Sequence, residues 1–277
     1  MARHPLLQLK SDLQRWLLCA ESLQRKIVST YAYPLAILKD SFDDPYVVND
    51  FFYYCFTKST RTLAAINLLL ENDLGEDAQI LVRTSYESYL SVAFLDAHPE
   101  RLDDLVAKKI GLKTGHFQHP KNSSGRVDYR RIVEAETGEV LPFSLSVAEM
   151  AGLTRYPDDA QVHRPLYMFL SEHCHAHMMA SGNYRNDACT KYVADSSSQM
   201  LQASFYALYV HTLTLCELIK FQRLMSRDSA RTRSVVRAGY DLLNHALKEL
   251  VFPDDLEALP LAFKARIRHG TYAVGDA

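Results

Sequence analysis

Two short segments concentrate the side chains able to do chemistry. In Ile80-Leu-Val-Arg83-Thr-Ser-Tyr-Glu87-Ser-Tyr-Leu-Ser91, Arg83 and Glu87 stand four apart, hence on one helix face and one turn from each other, and Ser91 extends the stripe. Their neighbours are apolar or aromatic, so burying either charge alone would be costly, whereas the pair can neutralise and hydrogen-bond. The pair therefore reads either as a structural ion pair fixing helix register or as a preorganised polar site. In the second case Arg83 holds an anion, and Glu87 orients it or acts as a base.

The other segment is Leu166-Tyr-Met-Phe-Leu-Ser171-Glu-His173-Cys-His175-Ala-His177, where three of the 11 histidines fall within five residues. Helical geometry separates them. His173 and His177 share one face, while His175 lies about 200° around from His173, on the face of Ser171. One regular helix cannot present all three to a single metal. His173 and His177 have the spacing of a two-ligand platform, but the intervening Cys-His-Ala supplies no Glu as a base. No metal and no cofactor are assigned, and this histidine pair is the candidate if a metal binds. Ser171 and His175 are four apart and within hydrogen-bonding reach, although no Gly-x-Ser-x-Gly turn supports a hydrolase nucleophile. The candidate catalytic set is Arg83, Glu87, His175 and Ser171.

A third cluster is basic. Arg223, Arg227, Arg231, Arg233 and Arg237 are opposed within 223–237 only by Asp228, and they form stripes at four-residue spacing if the helix is continuous. A solvated or intersubunit salt-bridging face is one reading, and a phosphate-binding face for nucleic acid or nucleotide is the other, helped by Lys264-Ala-Arg-Ile-Arg-His269 in the tail. No aromatic residues interleave with these arginines, against a single-strand stacking platform.

The elements that must position these residues are helical. In 277 residues there are only 10 Gly and 10 Pro, too few for a turn-dense all-β fold. Apolar residues recur at helical spacing over 6–28, 46–72, 76–96, 99–113, 165–182, 198–225 and 228–251. Gly75 is expected as a left-handed cap closing the second helix, which makes the second and third an antiparallel hairpin. A short helix is expected over 127–137, and 154–161 reads as a loop. Pro165 suits the first position of its helix. The fold class is all-α, an antiparallel helical bundle in one domain, with a loop-rich insertion around 114–160 and a basic C-terminal tail at 252–277.

The formal net charge is −2, from 31 Lys+Arg against 33 Asp+Glu, which excludes a generally basic nucleic-acid binder but not a local basic face. The longest apolar stretch, 203–219, contains His211 and Glu217 and reads as a buried helix, so no membrane association is expected. Residues 1–10 lack the apolar core of a signal peptide. Five scattered cysteines without a CxxC fit a reducing compartment, and the expected location is cytoplasmic.

The segment LLLENDLGEDAQILVRTSYESYLSVAFL (68–95), followed by LYMFLSEHCH (166–175), resembles the bacterial domain-of-unknown-function family 5677. The residues that carry the resemblance are Ala78, Leu81, Arg83 and Glu87, then Tyr167, Leu170, Ser171 and His175. The resemblance implies an all-helical fold with a shared Arg/Glu/His site, and its members look like helical proteins of mobile-element and phage-defence loci. It supplies no activity. That association extends to the helical HEPN ribonucleases, whose motif sets an Arg shortly before a His. Here no histidine has an arginine five to seven positions upstream. Two functions then compete: an effector acting on RNA, DNA or a nucleotide in a defence or toxin-type system, and a non-enzymatic assembly protein with a partner protein or a second copy.

Overall fold

The computed structural model describes residues 5–30, 46–143, 145–172, 174, 184–185, 188, 190–192, 199–220, 229–250 and 258–275. Its helices are α1 (Pro5–Thr30), α2 (Tyr46–Glu71), α3 (Gly75–Ala97), α4 (Glu100–Thr114), α5 (Val147–Gly152), α6 (Asp158–Glu172), α7 (Met200–Lys220), α8 (Ser229–Glu249) and α9 (Ala258–Gly275). The protein is helical throughout its core, as the low glycine and proline content implies.

Helix α7 is the axis of the fold. Every residue from Ala203 to Ile219 is buried, because α1, α2, α3, α8 and α9 all pack against it. A helix surrounded this way is predominantly apolar around its circumference, although His211 and Glu217 are buried with it. Helix α1 turns Leu9, Leu13, Leu17, Ala20, Leu23 and Ile27 inward at helical spacing. It is tied to α8 by the Trp16 indole, which donates to the Val235 carbonyl at 3.0 Å. The aromatic run at 51–56 divides by periodicity, with Phe52, Cys55 and Phe56 buried and Tyr54 exposed.

Several boundaries differ from the sequence expectation, each for a physical reason. The left-handed residue after α2 is Asp73, at φ 57°, and not Gly75. Gly75 instead opens α3 where the chain entering α7 crosses it. A Cβ there would lie 2.7 Å from the Met200 backbone nitrogen and 2.8 Å from the Gln199 carbonyl carbon. The expected helix at 127–137 is a strand. β1 (Phe117–Gln118), β2 (Arg131–Glu134) and β3 (Val140–Pro142) form an antiparallel sheet in sequence order, with Phe117 opposite Glu134 and Ile132 opposite Leu141. Gly138, at φ 72°, turns the β2–β3 hairpin, and Ile132 buries its branched side chain.

Helix α6 begins at Asp158, inside the stretch expected to be a loop. Asp158 and Asp159 occupy its first turn, where carboxylates complement the helix dipole. Pro165 is therefore an interior residue. Its ring nitrogen leaves the Gln161 carbonyl without the usual helical donor. The expected basic tail contains α9, and its Arg266 is wholly buried rather than presented to solvent.

Candidate functional site

Helices α3 and α6 meet along a polar seam. Asp159, His163, Tyr167 and Ser171 recur every four residues on α6, which lines them up on one face. Across from them stand Tyr89, Tyr86 and Arg83 of α3, met in that reversed order, so the two helices run antiparallel. The ring of His163 lies between Tyr86 (centroids 5.9 Å apart) and Tyr167 (4.9 Å), in both cases nearly parallel. The seam is closed at one end and open at the other.

At the closed end Arg266 and Asp159 are 0% and 1% exposed. Arg266 Nε donates to Asp159 Oδ1 at 2.8 Å and Nη2 donates to the Tyr89 hydroxyl at 2.7 Å. Tyr89 and Thr154 in turn donate to Asp159 Oδ2, at 2.8 and 2.9 Å. The guanidinium stacks 3.6 Å from the centroid of Tyr156. Beside it, His269 pairs with Asp158. These contacts lock α9 onto the first turn of α6 and so hold in place the helix that carries His163 and Tyr167.

At the open end Arg83 and Glu87 form the ion pair expected from their spacing, with Arg83 Nε 3.1 Å from Glu87 Oε1. Tyr167 completes a closed triangle. Its hydroxyl accepts from Arg83 Nη2 at 2.7 Å and donates to Glu87 Oε1 at 3.0 Å. The Arg83 and Glu87 side chains keep 23% and 38% of their surface exposed. Desolvation acts to lower the Arg83 pKa, but the hydrogen bonds with Cys174 and Tyr167 outweigh it, so the guanidinium is held in its charged form. Burial raises the Tyr167 phenol, and Glu87 adds to this against the opposing hydrogen bond from Arg83. Burial also lowers His163, with the negative charges of Asp159 and Glu87 opposing, so its ring is neutral at pH 7. His163 Nδ1 is buried and has no hydrogen-bond partner among the described residues. The open end therefore combines a fixed cation with spare N–H donors, a protonated phenol and a carboxylate, with the neutral imidazole of His163 buried behind Tyr167.

The other sequence candidates fall less tightly together. Ser171 lies on the seam face, but its hydroxyl donates to the carbonyl of Tyr167, the habit of a serine inside a helix. His175, His173 and His177 lie outside the described residues, as do Arg223 and Arg227. Arg231 and Arg237 are exposed on α8 and Arg233 is half-buried. Among the described residues, no three His, Cys, Asp or Glu side chains are grouped as a metal site.

Residues 49–188, just over half of the chain, match DUF5677, a family of unknown function. The chain belongs to that family. The DUF5677 match holds the whole α3–α6 seam, Arg83, Glu87, His163 and Tyr167 included, whereas α7, α8 and α9 with Arg266 lie beyond it. No curated protein matches the chain, and no solved structure does either. None of the described helices is long and apolar enough to cross a membrane.

Sequence reasoning named Arg83, Glu87 and, through the family pattern, Tyr167. It missed His163, Asp159 and Arg266. The signal was present: Asp159, His163, Tyr167 and Ser171 share one four-residue spacing, which shows only if the helix starts at Asp158 rather than at Pro165.

Proposed function

We propose that the open end of the seam binds and acts on a phosphate-bearing substrate, an RNA, a DNA or a nucleotide, as a cytoplasmic effector of the defence or toxin type. The observation that carries this reading is the held but incompletely covered guanidinium of Arg83. Its N–H groups are engaged by Glu87, Tyr167 and Cys174, and with five in all the guanidinium keeps others to meet an anion in a set orientation. In the acid–base role first given to His175, the described residue that fits is His163, neutral and adjacent to Glu87 in electrostatic terms. Glu87 orients the guanidinium, and Tyr167 can donate a hydrogen bond as charge develops on a phosphoryl oxygen. The exposed Arg231 and Arg237 add positive potential on α8.

The test is growth on induced expression together with turnover by purified protein of RNA, DNA and nucleotide pools. Wild type slows growth and releases product. Arg83→Ala and His163→Gln, each with wild-type circular dichroism, abolish both. Equal behaviour of all three chains removes the enzymatic reading.

The second reading, a non-enzymatic assembly protein, is favoured by one observation: Arg83, Glu87 and Tyr167 already satisfy one another in a closed triangle. It predicts a stable homo-oligomer or partner complex by light scattering, with no nucleotide or nucleic acid bound.

A further inference from the structure

Helix α4 leaves a cavity between itself, β3, α5 and the facing ends of α2 and α3. Its volume is 360 Å³, within the range of small-molecule sites. Its walls are apolar, with Phe94 from α3, Phe143 and Leu145 after β3, and Met150 from α5. Its rim is cationic. Arg101 and, about two turns on, the adjacent Lys108 and Lys109 stand on the α4 side, against the single carboxylate of Asp104. Lys108 is engaged by Asp104 at 2.7 Å. The side chains of Arg101 and Lys109 are exposed and have no ion-pair or hydrogen-bond partner among the described residues. Two uncompensated cations thus stand at the mouth of an apolar chamber.

The geometry points to a second ligand site, for a small amphipathic organic acid. Its apolar body would fill the chamber, and its anionic head would meet Arg101 and Lys109. Charge complementarity selects the head, since a neutral apolar guest would leave both cations unused. The wall selects the body. Among the described residues no neutral hydrogen-bonding side chain lines the cavity, so they offer the polar edges of a nucleobase no neutral side-chain partner. At roughly 30 Å³ per water-sized group, the chamber suits about a dozen non-hydrogen atoms. This site is distinct from the seam, because Phe94 lies about 16 Å along α3 from Arg83 at ordinary helical rise.

The test is calorimetric titration of the full chain with decanoate, and in parallel with butyrate, decan-1-ol and AMP. Decanoate is expected to saturate at one site, with butyrate and decan-1-ol at least tenfold weaker. The double variant Arg101→Glu/Lys109→Glu, on exposed positions that leave the fold intact, is expected to weaken decanoate at least tenfold. Met150→Trp, filling the chamber, is expected to abolish binding with circular dichroism unchanged. An unsaturable decanoate titration, equal binding of decan-1-ol, displacement of bound decanoate by AMP, or indifference to the charge reversal would each overturn the assignment.

Discussion

The buried pair of Arg266 and Asp159 makes the sharpest stability prediction. Asp159→Asn keeps the shape and one acceptor but removes the charge that compensates a guanidinium with no exposed surface. Breaking one partner of a buried pair costs about 3–5 kcal/mol, because the other charge is left in the core. For a chain of this length the entropy of unfolding scales to a fall in Tm of roughly 5–10 °C. Arg266→Met strands the carboxylate instead and should cost a similar amount, with Tyr89 losing its donor as well. The double variant removes both charges, so its loss should be smaller than the sum of the singles by at least ~1 kcal/mol. Thermal and urea unfolding of the four proteins gives this cycle directly. Single variants within ~1 kcal/mol of wild type, or a double variant equal to the sum, would refute the idea that a desolvated ion pair locks α9 to α6.

Three further outcomes can be checked. His211 is wholly buried, and desolvation lowers its pKa to about 3, against about 6.5 unfolded. The unfolded chain therefore binds a proton that the folded chain does not as pH falls below 6.5, and the stability present above that pH is progressively lost. Urea denaturation at pH 7 and 5 should show wild type losing about 2 kcal/mol more than His211→Gln, and identical pH profiles would contradict it. Gly75→Ala drives a Cβ into the backbone at 199–200 and should cost about 1–3 kcal/mol. Gly152→Ala, with open space at that point, should leave Tm unchanged, and equal effects would contradict the close approach. The Cys55 thiol, pushed up to about 12 by burial, should resist alkylation of the native protein while exposed Cys19 is labelled. Peptide mass mapping reads both rates, and comparable labelling would be inconsistent with that burial.

How much of this was legible in the sequence depends on how local the information is. The buried helix around 203–219 and the inward face of α1 were readable because periodicity is a property of the segment itself. The Arg83–Glu87 pair was readable for the same reason, being one helical turn. Asp73 and Gly75 exchanged roles because a close approach by the chain at 199–200 cannot be seen from 72–76 alone. The strand at 131–134 was mistaken for helix because pairing partners in a sheet come from elsewhere in the chain. Arg266 read as a basic tail residue for the same reason: its carboxylate partner is more than a hundred residues away. His163 was hidden by a misplaced helix start, since a proline inside a helix looks like one at its beginning.

Calorimetric titration of purified protein with ATP and with 5′-phosphorylated RNA and DNA oligonucleotides tests the Arg83 site most directly. Wild type should bind at least one of them saturably. Arg83→Ala should lose at least tenfold, and Arg83→Lys should not restore it, because lysine lacks the fork held by Glu87 and Tyr167. Arg83→Ala binding as tightly as wild type, or no saturable binding by wild type, would contradict a phosphate-directed site at the open end of the seam.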